Sequence, residues 1–422
     1  MSGHQRRPLV PRLRFSEFRD AGEWITVELG KFSRLLTERV GSTTCTPYTI
    51  ISGVGLISQE EKLGRTIAGN SLKNYLVLQY NDFAYNKSAT KAYPQGFIAL
   101  YTGSERAAVP NSIFTCFRVN QNQAIPTFLD ALFTSNLHGK WLRARIAVGA
   151  RAHGSLQVSD DDLMTTPVPL PNGTSSLEEQ QKIADCLSSL DELIAAETRK
   201  LDTLKTHKKG LMQQLFPREG ENVPRLRFPE FRSASAWSKV SAGKMFSNRI
   251  ERGKSGLPIH SVTMTDGLVP RSSLDRKIDD IAETSANKTV RAGDLAYNMM
   301  RMWQGALGVA SQDCMVSPAY IVLEPQGVNP FFFYFLLKLP QSLRVLTAHS
   351  RGLTEDRLRL YYDDFAKVSL QCPSRPEQDR IADCLISVDN IIAVQSQKID
   401  TLKTHKKGLM QQLFPTLDEV SA

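Results

Sequence analysis

The chain has 422 residues, 41% of them hydrophobic and 23% charged, and 52 Lys plus Arg against 43 Asp plus Glu leave a formal net charge of +9. That length and apolar content supply cores for two ordinary domains and exclude collagen-like, disulfide-scaffold and acidic disordered classes. A basic surplus this thinly spread favours nucleic acid over other polyanions only weakly, so charge alone does not settle function.

The opening stretch, MSGHQRRPLVPRLRF, carries basic residues with no apolar run of signal-peptide length behind them. The longest apolar run, Phe331 to Leu337, has seven residues, where a membrane helix needs about 20. Neither export nor membrane spanning is expected. The six cysteines (Cys45, Cys116, Cys186, Cys314, Cys372, Cys384) contain no C-x-x-C pair, so neither a zinc ribbon nor a dithiol redox site is assembled by close spacing, and no metal is expected. A reduced cytoplasmic protein is the simpler reading.

The first distinctive segment, Pro11 to Trp24 (PRLRFSEFRDAGEW), returns as Pro224 to Trp237 (PRLRFPEFRSASAW), a shift of 213 with 10 of 14 positions identical. Behind its first copy, residues 25 to about 170 alternate in the β manner at Tyr75 to Leu78, Gly96 to Tyr101 and Ile113 to Val119. A helical stretch follows at Pro126 to Val148. Loops between them offer Tyr85, Asn86, Lys87, Ser88, Lys91 and Tyr93, and further on Arg151, His153 and Ser155, as DNA-binding candidates. Arg reads guanine and Asn or Gln reads adenine through paired hydrogen bonds, while Lys and Ser commonly hold phosphates. A solvated polar loop is the competing reading at each of these positions.

Next comes a long heptad helix. Ile183, Leu187, Leu190, Ile194, Leu201, Leu204, Leu211 and Leu215 recur at steps of three, four and seven, a coiled-coil seam sustained over more than four heptads. Pro217 closes the helix. A second mixed region covers 238 to about 370, with strand-like Ala319 to Leu323 and a helical stretch from Pro330 to Ala348. Its loop candidates are Asn298, Arg301, Trp303, Gln304, His349, Ser350 and Arg351. The seam then returns as Ile381, Leu385, Val388, Ile392, Ile399, Leu402, Leu409 and Leu413, closed by Pro415. Two polar seam positions coincide between copies, Glu197 with Gln395 and Lys208 with Lys406. They can set register at some cost in stability, or they can be partly exposed.

Glu178 to Pro217 aligns without gaps on Pro376 to Pro415 at a shift of 198, with 28 of 40 positions identical, and Asp202 to Pro217 recurs letter for letter. Between these matching ends the interiors share only fragments, such as Asp82 to Asn86 (DFAYN) beside Asp294 to Asn298 (DLAYN). Neutral drift blurs ends and middles alike, so like ends with unlike middles point to two equal mechanical surfaces carrying two different chemical ones. At 1.5 Å per residue about 38 residues make a rod of roughly 57 Å, too apolar on one side to stay exposed alone. Related by a pseudo-two-fold axis, the two rods are expected to run antiparallel, with the variable domains at opposite ends.

Catalytic signatures are lacking. Asn329-Pro330-Phe331 stops one proline short of the adenine-methylation motif, and Gly253-Lys254-Ser255 ends like a phosphate loop with Asn248 where the first glycine belongs. No H-E-x-x-H, G-x-S-x-G or G-x-G-x-x-G occurs, and Asp160-Asp161-Asp162 reads as loop or helix-start charge.

The helix entries Glu179-Gln180 and Glu377-Gln378, each leading into Ile-Ala-Asp-Cys-Leu, and the shared exit Lys-Gly-Leu-Met-Gln-Gln-Leu-Phe-Pro resemble the specificity subunit of type I restriction-modification systems over essentially the whole chain. The resemblance implies an α+β fold class: two mixed α/β target recognition domains separated by two long helices that pair as an antiparallel coiled coil. The domains would run 1–175, 218–375, the helices 176–217 and 376–415, with a tail at 416–422. It implies a non-catalytic reader of a bipartite duplex target, one half per domain. Its partners would be two modification subunits, with restriction subunits joining through them. The assembled complex would be an adenine-DNA methyltransferase and ATP-dependent endonuclease. S-adenosylmethionine, ATP and Mg²⁺ would belong to the partners and no cofactor to this chain. The family's recognition loops differ between members, so it supplies no contact residues. A coiled-coil scaffold whose variable domains bind proteins is the alternative.

Overall fold

The computed structural model describes residues 9–51, 53–146, 156–274, 284–354 and 357–415. The chain divides into two compact units, with breaks between Glu197 and Thr198 and between Gln397 and Lys398. Both breaks fall inside the long helices, so each unit takes half of each helix: the second is the continuous stretch Thr198–Gln397, and the first joins the chain before it to the chain after it.

In the first unit the chain forms β1 (Ile25–Glu28), β2 (Ser33–Leu35), β3 (Thr46–Ile51), β4 (Gly55–Ser58), α1 (Gln59–Leu63), β5 (Leu76–Leu78), β6 (Asp82–Asn86), β7 (Phe97–Leu100), β8 (Ala107–Val109) and β9 (Phe114–Val119). Helices α2 (Pro126–Thr134), α3 (Leu137–Arg143) and α4 (Asp160–Met164) and strand β10 (Pro167–Leu170) lead into α5 (Ser176–Leu215). The helical stretch expected from Pro126 onward is broken at Asn136, whose left-handed φ of 62° interrupts it. Asp160 to Asp162 fill the first turn of α4, where Ser159 and Asp162 form a capping box.

The second unit repeats the plan with β11 (Ser238–Ser241), α6 (Ala242–Met245), β12 (Phe246–Asn248), β13 (His260–Val262), β14 (Leu268–Pro270), β15 (Lys288–Val290), β16 (Leu295–Asn298), β17 (Leu307–Val309), β18 (Cys314–Val316) and β19 (Tyr320–Pro325). Helices α7 (Pro330–Leu337), α8 (Pro340–Ala348) and α9 (Tyr362–Phe365), strand β20 (Ser369–Cys372) and helix α10 (Arg375–Leu413) complete it. Pro330 and Pro340 each open a helix, where a missing N–H costs nothing, and Pro340 also divides the stretch expected from Pro330 to Ala348.

Each variable domain is built on a four-stranded antiparallel sheet of one topology, β2-β9-β6-β7 in the first and β12-β19-β16-β17 in the second. Each is also closed by a two-stranded antiparallel ribbon, β1 with β10 and β11 with β20. The first adds a second four-stranded sheet, β4-β3-β8-β5, where the second has the pairs β13-β14 and β15-β18. The long inserts differ while the central sheet does not.

Helices α5 and α10 have 40 and 39 residues, about 60 Å each. In the first unit Ile183, Ala184 and Leu187 of α5 share one core with Met410 and Leu413 of α10 and with Phe414. Lys406 Nζ lies 2.6 Å from Asp191 and Lys398 Nζ 2.5 Å from Glu197. Rising numbers on α5 meet falling numbers on α10, which is antiparallel pairing. In the second unit Leu215 and Phe216 pack with Ile381, Ala382 and Leu385, and Lys208 lies 2.5 Å from Asp389, in the same antiparallel sense. All sixteen predicted seam residues are buried or half-buried. Of the polar seam positions, Gln395 is buried, and Lys208 and Lys406 are half-buried against the aspartates of the other helix.

The repeated PRLRF segments cross over likewise. Leu13 N–H donates to the Gln412 carbonyl at 3.0 Å, and Leu226 N–H donates to that of Gln214 at 2.9 Å. Each segment therefore caps the helix end of the other sequence repeat.

Candidate nucleic-acid interface

The shared D-x-A-Y-N motif supplies an inner strand of both main sheets, all of β6 and, after Asp294, all of β16. Its aspartates are buried and hold arginines, Asp82 with Arg118 Nε of the adjacent strand β9 at 2.5 Å and Asp294 with Arg249 Nε, just past β12, at 2.6 Å. Burial raises the Asp294 pKa and the Arg249 bonds oppose that rise. Tyr85 is fully buried and donates its hydroxyl to the Gln95 carbonyl at 2.7 Å, as Tyr297 donates to that of Leu360 at 3.3 Å. Asn86 and Asn298 accept backbone N–H bonds from Ser88 and Met300, at 2.9 and 3.0 Å. Tyr85 is therefore a core residue, and Asn86 and Asn298 brace the turns that follow their strands. Identity in both domains has a structural cause here, and a polar motif alone does not separate a turn brace from a base reader.

Beyond each of these inner strands lies a polar turn in the same topological place. In the first domain Lys87 is half-buried and 3.4 Å from Asp160, Ser88 is half-buried, Lys91 is exposed, and Tyr93 packs edge-on to Phe97 with ring centroids 4.6 Å apart. Leu156 N–H donates to the Lys87 carbonyl at 2.7 Å. The other first-domain candidates, Arg151, His153 and Ser155, lie outside the described residues.

In the second domain the turn after β16 exposes Arg301 and Gln304, and Trp303 is half-buried with its indole N–H donating to the Met300 carbonyl at 3.2 Å. His349 and Ser350, at the end of α8, bond back to the carbonyls of Val345 and Leu346, both at 2.9 Å. Arg351 is exposed, 2.6 Å from Asp364 and over the Tyr361 ring. Leu360 N–H donates to the Met299 carbonyl at 2.9 Å, and Arg351 bridges Arg359 through two backbone bonds. The two candidate segments of this domain are thus neighbours. Sequence reasoning missed what the fold adds beside them: Arg357 and Arg359, exposed Met300 and Tyr361, and Leu353, which is 100% exposed. The arginine spacing in RGLTEDRLR was a legible signal. Gly352 is required there by φ 151° and by Arg357 backbone atoms that a Cβ would approach to 2.6 Å.

The near-motifs have local employment. Asn329 caps α7 by accepting the Phe331 and Phe332 N–H groups, and Lys254 pairs with Glu251 at 2.7 Å. Among the described residues no His, Cys, Asp and Glu set could hold a metal ion, and no helix is long and apolar enough to cross a membrane.

These features define a class: paired α+β domains of one topology, each packed on halves of two antiparallel helices and presenting different side chains from matching loops. The chain belongs to the family described as type I restriction modification DNA specificity domain, whose model matches residues 63–206 and 239–404. It is a specificity subunit. It is 23% identical over 342 residues to a putative type I restriction enzyme MjaX specificity subunit of Methanocaldococcus jannaschii, covering 76% of this chain and 74% of that one. To the MjaVIII specificity subunit of the same organism it is 22% identical over 321 residues, covering 71% and 72%. Among solved structures, a specificity subunit from M. genitalium matches with TM-score 0.55 at 13% identity, covering 97% of this chain and all of that one. A chain from a study of type I complex assembly and conformational transition matches at 0.51 and 21%, covering 93% and 97%. Specificity subunits are non-catalytic, and the role of this one is DNA sequence recognition.

Proposed function

We propose that the chain reads a bipartite duplex target, one half through each variable domain, while the helix pair sets the gap between halves and docks two modification subunits. Restriction subunits join through these. S-adenosylmethionine, ATP and Mg²⁺ belong to the partners, and the assembled complex methylates adenine and cleaves DNA at the expense of ATP.

The observation that carries this reading is one sheet topology used twice with unlike loops at matching positions. A repeated scaffold with divergent loops is what two different base sequences require, because phosphate contacts position and side chains at base edges specify. Helices of about 60 Å leave room for readers one duplex turn apart, about 34 Å.

Docking of two like partners is supported by the helix surface. From Asp202 to Pro217 and its copy, eight positions are exposed in both helices and all eight carry the same residue. Upstream, from Glu178 to Leu201, eleven are exposed in both and only four agree. Core packing does not demand identity at exposed positions such as Lys205, His207 and Lys209, whereas two copies of one partner do.

Co-expression with a modification subunit, followed by sequencing of methylated bases, tests the reading. Replacing residues 25 to 170 with another member's domain is expected to change one half-site only. Movement of both halves, or methylation with no bipartite pattern, overturns it.

A further inference from the structure

The Glu-Gln pairs at the helix entries hold two chain points that flank each variable domain. Glu179 is 1% exposed and accepts Arg14 Nε and Nη2, both at 2.7 Å, and the Trp24 indole N–H at 3.2 Å. Glu377, also 1% exposed, accepts Arg227 Nε and Nη2 at 2.7 Å and the Trp237 indole N–H at 3.2 Å. These donors all come from the repeated segment that precedes each domain.

The adjacent glutamine faces the domain itself. Gln180 Oε1 accepts the Ile125 N–H at 2.9 Å, and its amide donates to the Gln123 carbonyl at 3.3 Å. Gln378 Oε1 accepts the Asn329 N–H at 2.9 Å, and its amide donates to the Pro373 carbonyl at 3.0 Å. Ile125 and Asn329 are the residues just before α2 and α7, the same place in both domains. Through Oε1 each glutamine therefore grips a main-chain N–H of the domain, which any sequence presents, while glutamate grips side chains that the two copies share. A joint of this kind holds unlike domains in one pose. Five hydrogen bonds per joint also make it directional, since bidentate Arg–carboxylate bonding fixes angle as well as distance.

We infer that Glu179-Gln180 and Glu377-Gln378 are positioning residues: sockets that fix how each recognition domain sits on its helix, and hence how it meets its half-site, without regard to the domain's own sequence. This rests on the bipartite reading above. It predicts that loosening one socket degrades fidelity at one half-site and spares the other.

The test uses the chain co-assembled with a modification subunit and sequencing of methylated positions. Glu179→Gln and Gln180→Leu are expected to raise methylation at sites with one wrong base in the first domain's half by about tenfold relative to correct sites, the weight of one net hydrogen bond. The second half should keep its wild-type fidelity. Glu377→Gln and Gln378→Leu should give the mirror result. Gln180→Leu and Gln378→Leu leave the buried ion pairs whole and serve where the glutamate variants fold poorly. A merely structural joint lowers total methylation with the correct-to-incorrect ratio unchanged at both halves, and that outcome overturns the socket, as does equal loosening of both halves. If the wild-type chain marks no bipartite site, the functional reading fails instead.

Discussion

Phe414 ends the helix after the second variable domain, yet it is 6% exposed within the core of the first unit, edge-on to Phe128 with ring centroids 5.5 Å apart. Phe216 ends the helix after the first domain and lies 1% exposed in the second unit's core, 6.1 Å from Trp237 and 5.3 Å from Phe332. Truncating a buried Phe to Ala costs about 3–5 kcal/mol, the transfer term plus the cavity left behind. At about 1.4 kcal/mol per decade this is two to three and a half powers of ten in the opening equilibrium. Phe414→Ala should therefore speed amide exchange in β6, β9 and α2 by about 10²-fold or more, and leave β16, β19 and α7 near wild type. Phe216→Ala should do the reverse. Hydrogen exchange read by mass spectrometry on overlapping peptides resolves the two regions. If each substitution instead loosens the domain that precedes it in sequence, the crossed packing of helix ends is refuted.

Four further outcomes are expected. His138 is fully buried and burial lowers its pKa to about 4; below the unfolded value of about 6.5 the unfolded chain takes up the proton first, so stability falls by about 1.4 kcal/mol per pH unit from 6.5 toward 4. His138→Gln should flatten that slope in denaturant titrations at a series of pH values, and an unchanged slope counts against the assignment. Double-mutant cycles on Asp191 with Lys406 and on Asp389 with Lys208 should each give a coupling of about 0.2–1 kcal/mol by thermal melting, because these pairs keep solvent access; a coupling above about 2 kcal/mol contradicts this. Tyr85→Phe should cost about 1–2 kcal/mol by leaving the Gln95 carbonyl unpaired, with target sequence unchanged. Arg301→Ala should alter methylation only at the second half-site, and the reverse pattern would reinstate Tyr85 as a reader.

Much of the helix pair was legible because a seam leaves a periodic trace: Ile183 to Leu215 and Ile381 to Leu413 could be counted residue by residue, and all sixteen lie at buried or half-buried positions. The loops were harder. Tyr85, Asn86 and Asn298 have the composition of base readers, yet Tyr85 and Asn86 are buried, and Asn86 and half-buried Asn298 each give a side-chain oxygen to a backbone N–H at the strand end. Polarity in a sequence does not reveal which face of a sheet a side chain occupies once a turn intervenes. Arg357, Arg359 and Leu353 reach the neighbourhood of Arg301 because Leu360 bonds to Met299 and Tyr297, links between segments some 60 residues apart.

From sequence alone came the duplication, the two seams, the mixed character of the interiors and the family, since each is a pattern of residue type against spacing. Only the folded chain decided which half of each helix belongs with which domain, because burial of Phe216 and Phe414 depends on where a core lies and not on what precedes it in the chain. It also decided why Glu-Gln stands at both helix entries. A carboxylate or amide in a sequence has many conceivable partners, and only tertiary packing brings Arg14, Trp24 and the Ile125 N–H within hydrogen-bonding distance of that one corner.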